Sequence, residues 1–102
     1  MKLPISLRSQ KKPKLLLVRR VVGDSMSPTL AAGQVVIALP WLRSRVGDIV
    51  IARAQGREVI KRLVAIEGDY ATLHGDNPGA STDSRHNGFV SRSDIFGRVL
   101  GR

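Results

Sequence analysis

Four aliphatic runs, each closed by a turn signal, constrain what this chain can fold into: LLLVRRVV at 15–22, QVVIAL at 34–39, DIVIAR at 48–53 and EVIKRLVAI at 58–66. Branched side chains favour extended backbone, and short runs with turns at short intervals read as strands of a mainly β domain. GDSMSPTLAAG follows the first run as a turn, with one short helical turn expected over Pro28 to Ala32. Gln55-Gly56 reads as a hairpin turn, and Gly68-Asp69 turns the fourth run into a strand over Tyr70 to His74. Pro40 to Arg45 is a loop holding the only Trp, and Ile95 to Leu100 closes the chain with a last strand. Between them, Gly75 to Gly88 is a polar loop of a length that compact domains keep for function.

The 102 residues suffice for one domain. With aromatics at only 4 %, its core must come from Val, Ile, Leu and Ala. The net charge of +9 is unevenly spread: residues 1–20 hold seven of the 17 Lys and Arg and no acid, which leaves ten cations against eight acids in the remainder. The expected organisation is a basic, flexible arm over 1–14 and a catalytic domain over 15–102. The absence of Cys excludes disulfides, thiolate metal sites and a Cys nucleophile. Two His residues without calcium-loop spacing nearby give no metal site, and no cofactor is expected. The longest apolar runs fall well short of the ~20 residues of a membrane-spanning helix, and the arm lacks the apolar stretch of a secretory signal. The expected location is cytoplasmic, with the arm making weak contact with an anionic membrane surface at most.

Chemistry enters with a conflict in EVIKRLVAI. Strict alternation puts Lys61 on one face with Val59, Leu63 and Ala65, an apolar and inward face. A stem that snorkels to the surface resolves this without function. The alternative is an amine kept neutral by burial and ready to take a proton, which requires lowering its pKa from about 10.4 towards about 7–8. Lys61 is the only Lys outside the arm. Ser25, in VVGDSMSPTL, is then a nucleophile that such an amine can activate, although that decapeptide on its own reads equally as a turn with capping hydroxyls. His74, beside Asp76, and His86 compete for the role of base. Ser9-Gln10-Lys11-Lys12 fits a Ser-x-x-Lys pattern but lies in the arm with no companion motif. In GDNPGASTDSR, Ser81 can hydrogen-bond Lys61, and Asp83 and Arg85 can pair to hold the loop.

GDSMSPTL, EVIKRLVAIEGD and GDNPGASTDSRHNGFV, in this order, resemble the nucleophile, lysine and C-terminal boxes of the signal peptidase I family of serine–lysine peptidases. The resemblance covers about Val21 to Leu100. It implies a compact β domain of the signal-peptidase and LexA type, with Ser25 as nucleophile, Lys61 as general base and the Ser25 backbone N–H as an oxyanion donor. It further implies that Ser81 orients the lysine, that Asp83 and Arg85 brace the site, and that Arg62 is structural. Two departures stand out. Gly23 occupies the position where some members carry a second oxyanion-hole hydroxyl, and the arm replaces the family's membrane anchor.

The compact form and the string GDNPGASTDSR are similar to the nickel-type superoxide dismutase maturation proteases. The implied partner is therefore a precursor protein, the dismutase proform, from which an N-terminal propeptide is removed. Signal peptidase cleavage of exported preproteins at the membrane is the alternative, with Trp41 at the interface. A self-cleaving LexA-like regulator lacks its upstream Ala-Gly or Cys-Gly bond here. A nucleic-acid-binding β domain lacks an aromatic stacking platform.

Overall fold

The computed structural model describes residues 15–79 and 88–101. They form a single antiparallel sheet of seven strands: β1 (Leu17–Arg20), β2 (Val35–Leu39), β3 (Ile49–Ala54), β4 (Arg57–Glu67), β5 (Tyr70–His74), β6 (Phe89–Ser91) and β7 (Ile95–Val99), in spatial order β1-β2-β7-β3-β4-β5-β6. The mainly β expectation holds. The helical turn is displaced: a 3-10 turn occupies Arg92–Asp94, whereas Pro28 to Ala32 forms only hydrogen-bonded turns and bends. Ser91 accounts for the 3-10 turn, because its side chain accepts from the Ser93 N–H and caps it.

Two hairpins have the turns their residues dictate. Ala54 pairs with Arg57 across Gln55-Gly56, where φ is +52° and +77°. Two left-handed residues in a two-residue loop make a type I′ turn, whose twist matches that of the flanking strands. Glu67 pairs with Tyr70 across a second two-residue loop, Gly68-Asp69, in which Gly68 takes φ +59°.

The sheet bears apolar side chains on both faces. One cluster gathers Val21, Met26, Leu30, Val36, Ala38, Ile49, Ile51 and Val99, with Leu17, Ile60 and Phe96 packed against it. The other gathers Val50, Ala52, Ala54, Leu63, Ala71, Leu73, Val90 and Ile95. A flat sheet would leave both exposed, so it curls twice. Arg19 of β1 reaches Glu58 of β4 across three intervening strands and closes the first curl. In the second, β6 and the 3-10 turn return against β3.

Bulges make the double curl possible. The β4–β5 register shifts between Leu63 and Ala65. Beyond the shift, Ile66 rather than Ala65 joins the cluster that holds Leu63. The expected row Val59, Lys61, Leu63, Ala65 is therefore corrected at its last member, because one extra residue reverses the alternation. A second shift lies where β7 passes β3, between Ile51 and Ala52. Gly97 next to it packs so closely against β2 that an added Cβ would stand 3.2 Å from the Cβ of Ala38.

Candidate active site

The site is built round a strand whose two halves have different partners. Arg57 to Arg62 pair with β3 and Arg62 to Glu67 pair with β5, so that among the described residues Arg57 to Lys61 has a partner on the β3 side alone. β1 is likewise paired only with β2. These two open edges face each other across a cleft of about 570 Å³, lined among others by Arg19, Val22, Ser25, Ala54, Glu58 and Lys61. The Arg19–Glu58 pair, with Nε to Oε2 at 2.5 Å, spans it.

Ser25 comes from the segment after β1. Hydrogen bonds from the Val21 N–H to the Gln34 carbonyl (2.7 Å) and from the Gly33 N–H to the Val21 carbonyl (2.8 Å) prolong the pairing into this segment. Gly23 then takes φ +79°, a left-handed conformation that turns the chain at low steric cost. Met26 and Leu30, 1 % and 0 % exposed, drive into the core and are joined by a single helical hydrogen bond of 2.9 Å. The Ser27–Pro28 peptide within this turn is cis. Ser25 sits immediately before its buried anchor and is held half-buried at the cleft wall. Among the described residues, no hydrogen bond takes up its N–H or its Oγ.

Lys61 stands opposite Val50 in the β3–β4 register, and Val59 stands opposite Ala52. Directly opposed residues of an antiparallel pair share a face, so Lys61 rises from the apolar face that Val50 and Ala52 occupy. It is half-buried and reaches the same cleft as Ser25.

A polar bracket behind this pair joins four separate segments. Arg62 donates to Asp76 through Nε (3.1 Å to Oδ1) and Nη2 (2.6 Å to Oδ2), and to the Gly47 carbonyl through Nη1 (2.8 Å). Thr29 of the serine segment donates its hydroxyl to Asp76 Oδ2 at 2.7 Å. Asn77 donates its backbone N–H to the Ser25 carbonyl at 2.9 Å and its side-chain amide to the Asp24 carbonyl at 3.0 Å. The Arg62 guanidinium holds the Asp76 carboxyl below the usual carboxylate range, against partial burial and with help from Thr29. The same hydrogen bond raises Arg62 above its ordinary value.

Of the residues expected at the site, Ser25 and Lys61 are brought to one cleft, and Arg62, the next residue on β4, enters the bracket. Ser81, Asp83, Arg85 and the alternative base His86 lie outside the described residues. His74 is exposed at the end of β5 and does not line the cleft. Asp76 and Asn77 read in the sequence only as members of a polar loop suited to packing beside a site, and Thr29 only as a turn or capping residue; the structure joins all three in the bracket. Their signals in the sequence are the GDN that directly follows β5, for Asp76 and Asn77, and the Pro28-Thr29 turn after Ser25, for Thr29. No group of His, Asp and Glu suited to a metal ion occurs among the described residues, and none of their helices is long and apolar enough to cross a membrane.

Comparison with known proteins gives the class to which this curled β domain belongs. The profile of the Peptidase S24-like family matches residues 1–100, and the chain belongs to this family, which makes it a peptidase of the signal peptidase and LexA type. It is also similar to the mitochondrial ATP-independent inner membrane protease subunit 1a of Arabidopsis thaliana, with 34 % identity over 118 residues covering 86 % of this chain and 70 % of that protein.

Proposed function

We propose that the protein is a serine endopeptidase with a Ser25–Lys61 dyad that removes an N-terminal propeptide from a precursor protein, with the proform of nickel superoxide dismutase as the candidate substrate. The observation that carries this reading is that Ser25 and Lys61 line one cleft between two open strand edges, in a chain of a peptidase family.

An extended peptide adds itself to the open edge of β4 through main-chain hydrogen bonds. Neutral Lys61 accepts the Ser25 Oγ proton, and Oγ attacks the scissile carbonyl carbon. The Ser25 N–H donates to the oxyanion as it forms. The tetrahedral species collapses to an acyl-enzyme, and the leaving amine takes the proton from Lys61. Water, deprotonated by Lys61 in turn, hydrolyses the ester and restores Ser25. Gly23 offers no side-chain donor, so a second oxyanion contact has to come from backbone or water.

The decisive experiment is intact-mass spectrometry of the dismutase precursor incubated with wild type, Ser25→Ala or Lys61→Met. The expected result is loss of the propeptide with wild type only, at a rate that rises with pH because only the neutral amine accepts a proton. Cleavage by either variant refutes the dyad. An intact precursor alongside cleavage of exported preproteins shifts the substrate to a second reading, signal-peptidase cleavage at the membrane. That reading is favoured by Trp41, 59 % exposed, and by the inner-membrane name of the plant relative. It requires the protein to stay in carbonate-washed membranes.

A further inference from the structure

The cleft carries a charge pattern that serine–lysine chemistry does not use. Arg57, Val59 and Lys61 are alternate residues of β4, and their register partners Ala54, Ala52 and Val50 all belong to one apolar cluster. Alternate residues of a strand share a face, so the three form a row of guanidinium, isopropyl and amine along the open edge. Glu58 points to the other face, where Arg19 pairs with it and Arg53 stands opposite in register. Arg20 donates to the Gly33 carbonyl at 2.8 Å. Arg57 is exposed and forms no ion pair among the described residues. The end of the cleft away from Lys61 thus presents Arg19, Arg20 and Arg57 against Glu58 alone.

We propose that Arg57 determines specificity: the cleft prefers peptides with a carboxylate four residues from the one at the cleaved bond, on the side that runs along β4 towards the Gln55-Gly56 turn. This rests on the peptidase reading. A peptide paired with the edge keeps step with it. If the residue under attack lies beside Lys61, the residue two positions along meets Val59 and the one four positions along meets Arg57. At about 3.3 Å per residue, that carboxylate lies roughly 13 Å from the reacting carbonyl. It touches no reacting atom, so Arg57 acts on binding and kcat/KM rather than on the chemical step. An exposed pair is screened by salt, which limits the expected preference to about three- to tenfold.

The test uses a set of Ala-rich 14-residue peptides of one sequence, in which Asp, Ala or Lys is walked through successive positions. Fluorescein-labelled peptides are titrated into the full-length Ser25→Ala chain by anisotropy, and unlabelled ones are incubated with wild type and mapped by mass spectrometry. Asp is expected to tighten binding about three- to tenfold over Ala and Lys to weaken it, with cleavage falling four residues from the Asp. In about 1 M NaCl, where the Debye length is about 3 Å, the difference should vanish. Arg57→Glu should invert the preference and Arg57→Gln erase it, whereas Arg92→Glu, on the distant 3-10 turn, should leave it intact. Equal affinity across the set, or a preference that survives both Arg57 variants, overturns the proposal. The two readings fail separately. Cleavage without acid preference removes this inference and leaves the peptidase. Acid-dependent binding without cleavage by wild type removes the peptidase and leaves the cleft's preference.

Discussion

Asp76 accepts hydrogen bonds from Arg62 and Thr29 at once, so one ionised carboxyl ties β4 to the serine segment. Its folded-state pKa lies below the ordinary value, and the sign of the pH dependence follows. The unfolded chain takes up the proton first as pH falls, so the stabilisation is complete above about 3.9 and declines as pH drops from there through the folded-state value. Asp76→Asn should lower stability at neutral pH by about 1–3 kcal/mol and flatten the acid limb of a stability–pH curve measured by urea denaturation. Gly23 offers a second test at this scale. Nothing lies within 4 Å of an added Cβ there, yet φ is +79°. Gly23→Ala should therefore cost about 1–2 kcal/mol through backbone strain alone, read as a lower urea midpoint with an unchanged m-value. Lys61 was legible in the sequence because it is the only body Lys and stands in an aliphatic strand. Asp76 was not, because GDNPGASTDSR offers several short polar residues and the choice among them depends on where Arg62 comes to lie.

At the scale of elements, the serine segment is positioned by what it buries. Met26 follows Ser25 directly and is 1 % exposed. Met26→Ala should cost about 2–5 kcal/mol, seen in chemical denaturation, and, on the proposed mechanism, should lower kcat more than it raises KM, since it would loosen the Ser25 hydroxyl rather than the edges proposed to hold the peptide. Five strands lay within one residue of their sequence boundaries: Val35–Leu39, Ile49–Ala54, Arg57–Glu67 and Tyr70–His74, each enclosed by turn residues, and the closing Ile95–Val99. The first strand was read too long, since LLLVRRVV continues as an apolar run after pairing gives way to the serine segment. β6 was missed: FVS is three residues long and emerges from a polar loop with no alternation to announce it. The displacement of Ala65 was hidden for a related reason, as a bulge is a property of two strands and alternation is read from one.

Across the whole molecule, the double curl gives each face of the sheet its own core, built as expected almost wholly from Val, Ile, Leu and Ala. The mainly β class was legible from run lengths alone. The meeting of β1 with β4 was not, because it depends on how far seven strands twist together. We propose that residues 15–102 form the catalytic unit. A chain lacking residues 1–14 should then unfold cooperatively within about 4 °C of the full chain, the shift expected of a loss below about 0.5 kcal/mol. Calorimetry checks this, and co-sedimentation with anionic vesicles should fall in the same truncated chain.

A half-strand with no second strand partner among the described residues is also a template for another molecule of the same protein, since a ladder proposed to accept a substrate can equally accept a sibling. Along β4 that hazard is met by charge. Arg57, Glu58 and Lys61 crowd five successive residues, and Arg19 lies across them. A second copy zipping on would have to strip water from these groups and break the Arg19–Glu58 pair. With Arg57→Val and Glu58→Val together, size-exclusion chromatography with light scattering should show concentration-dependent polymers. The residues proposed to admit a peptide to the cleft are thus also those expected to keep the protein from polymerising through it.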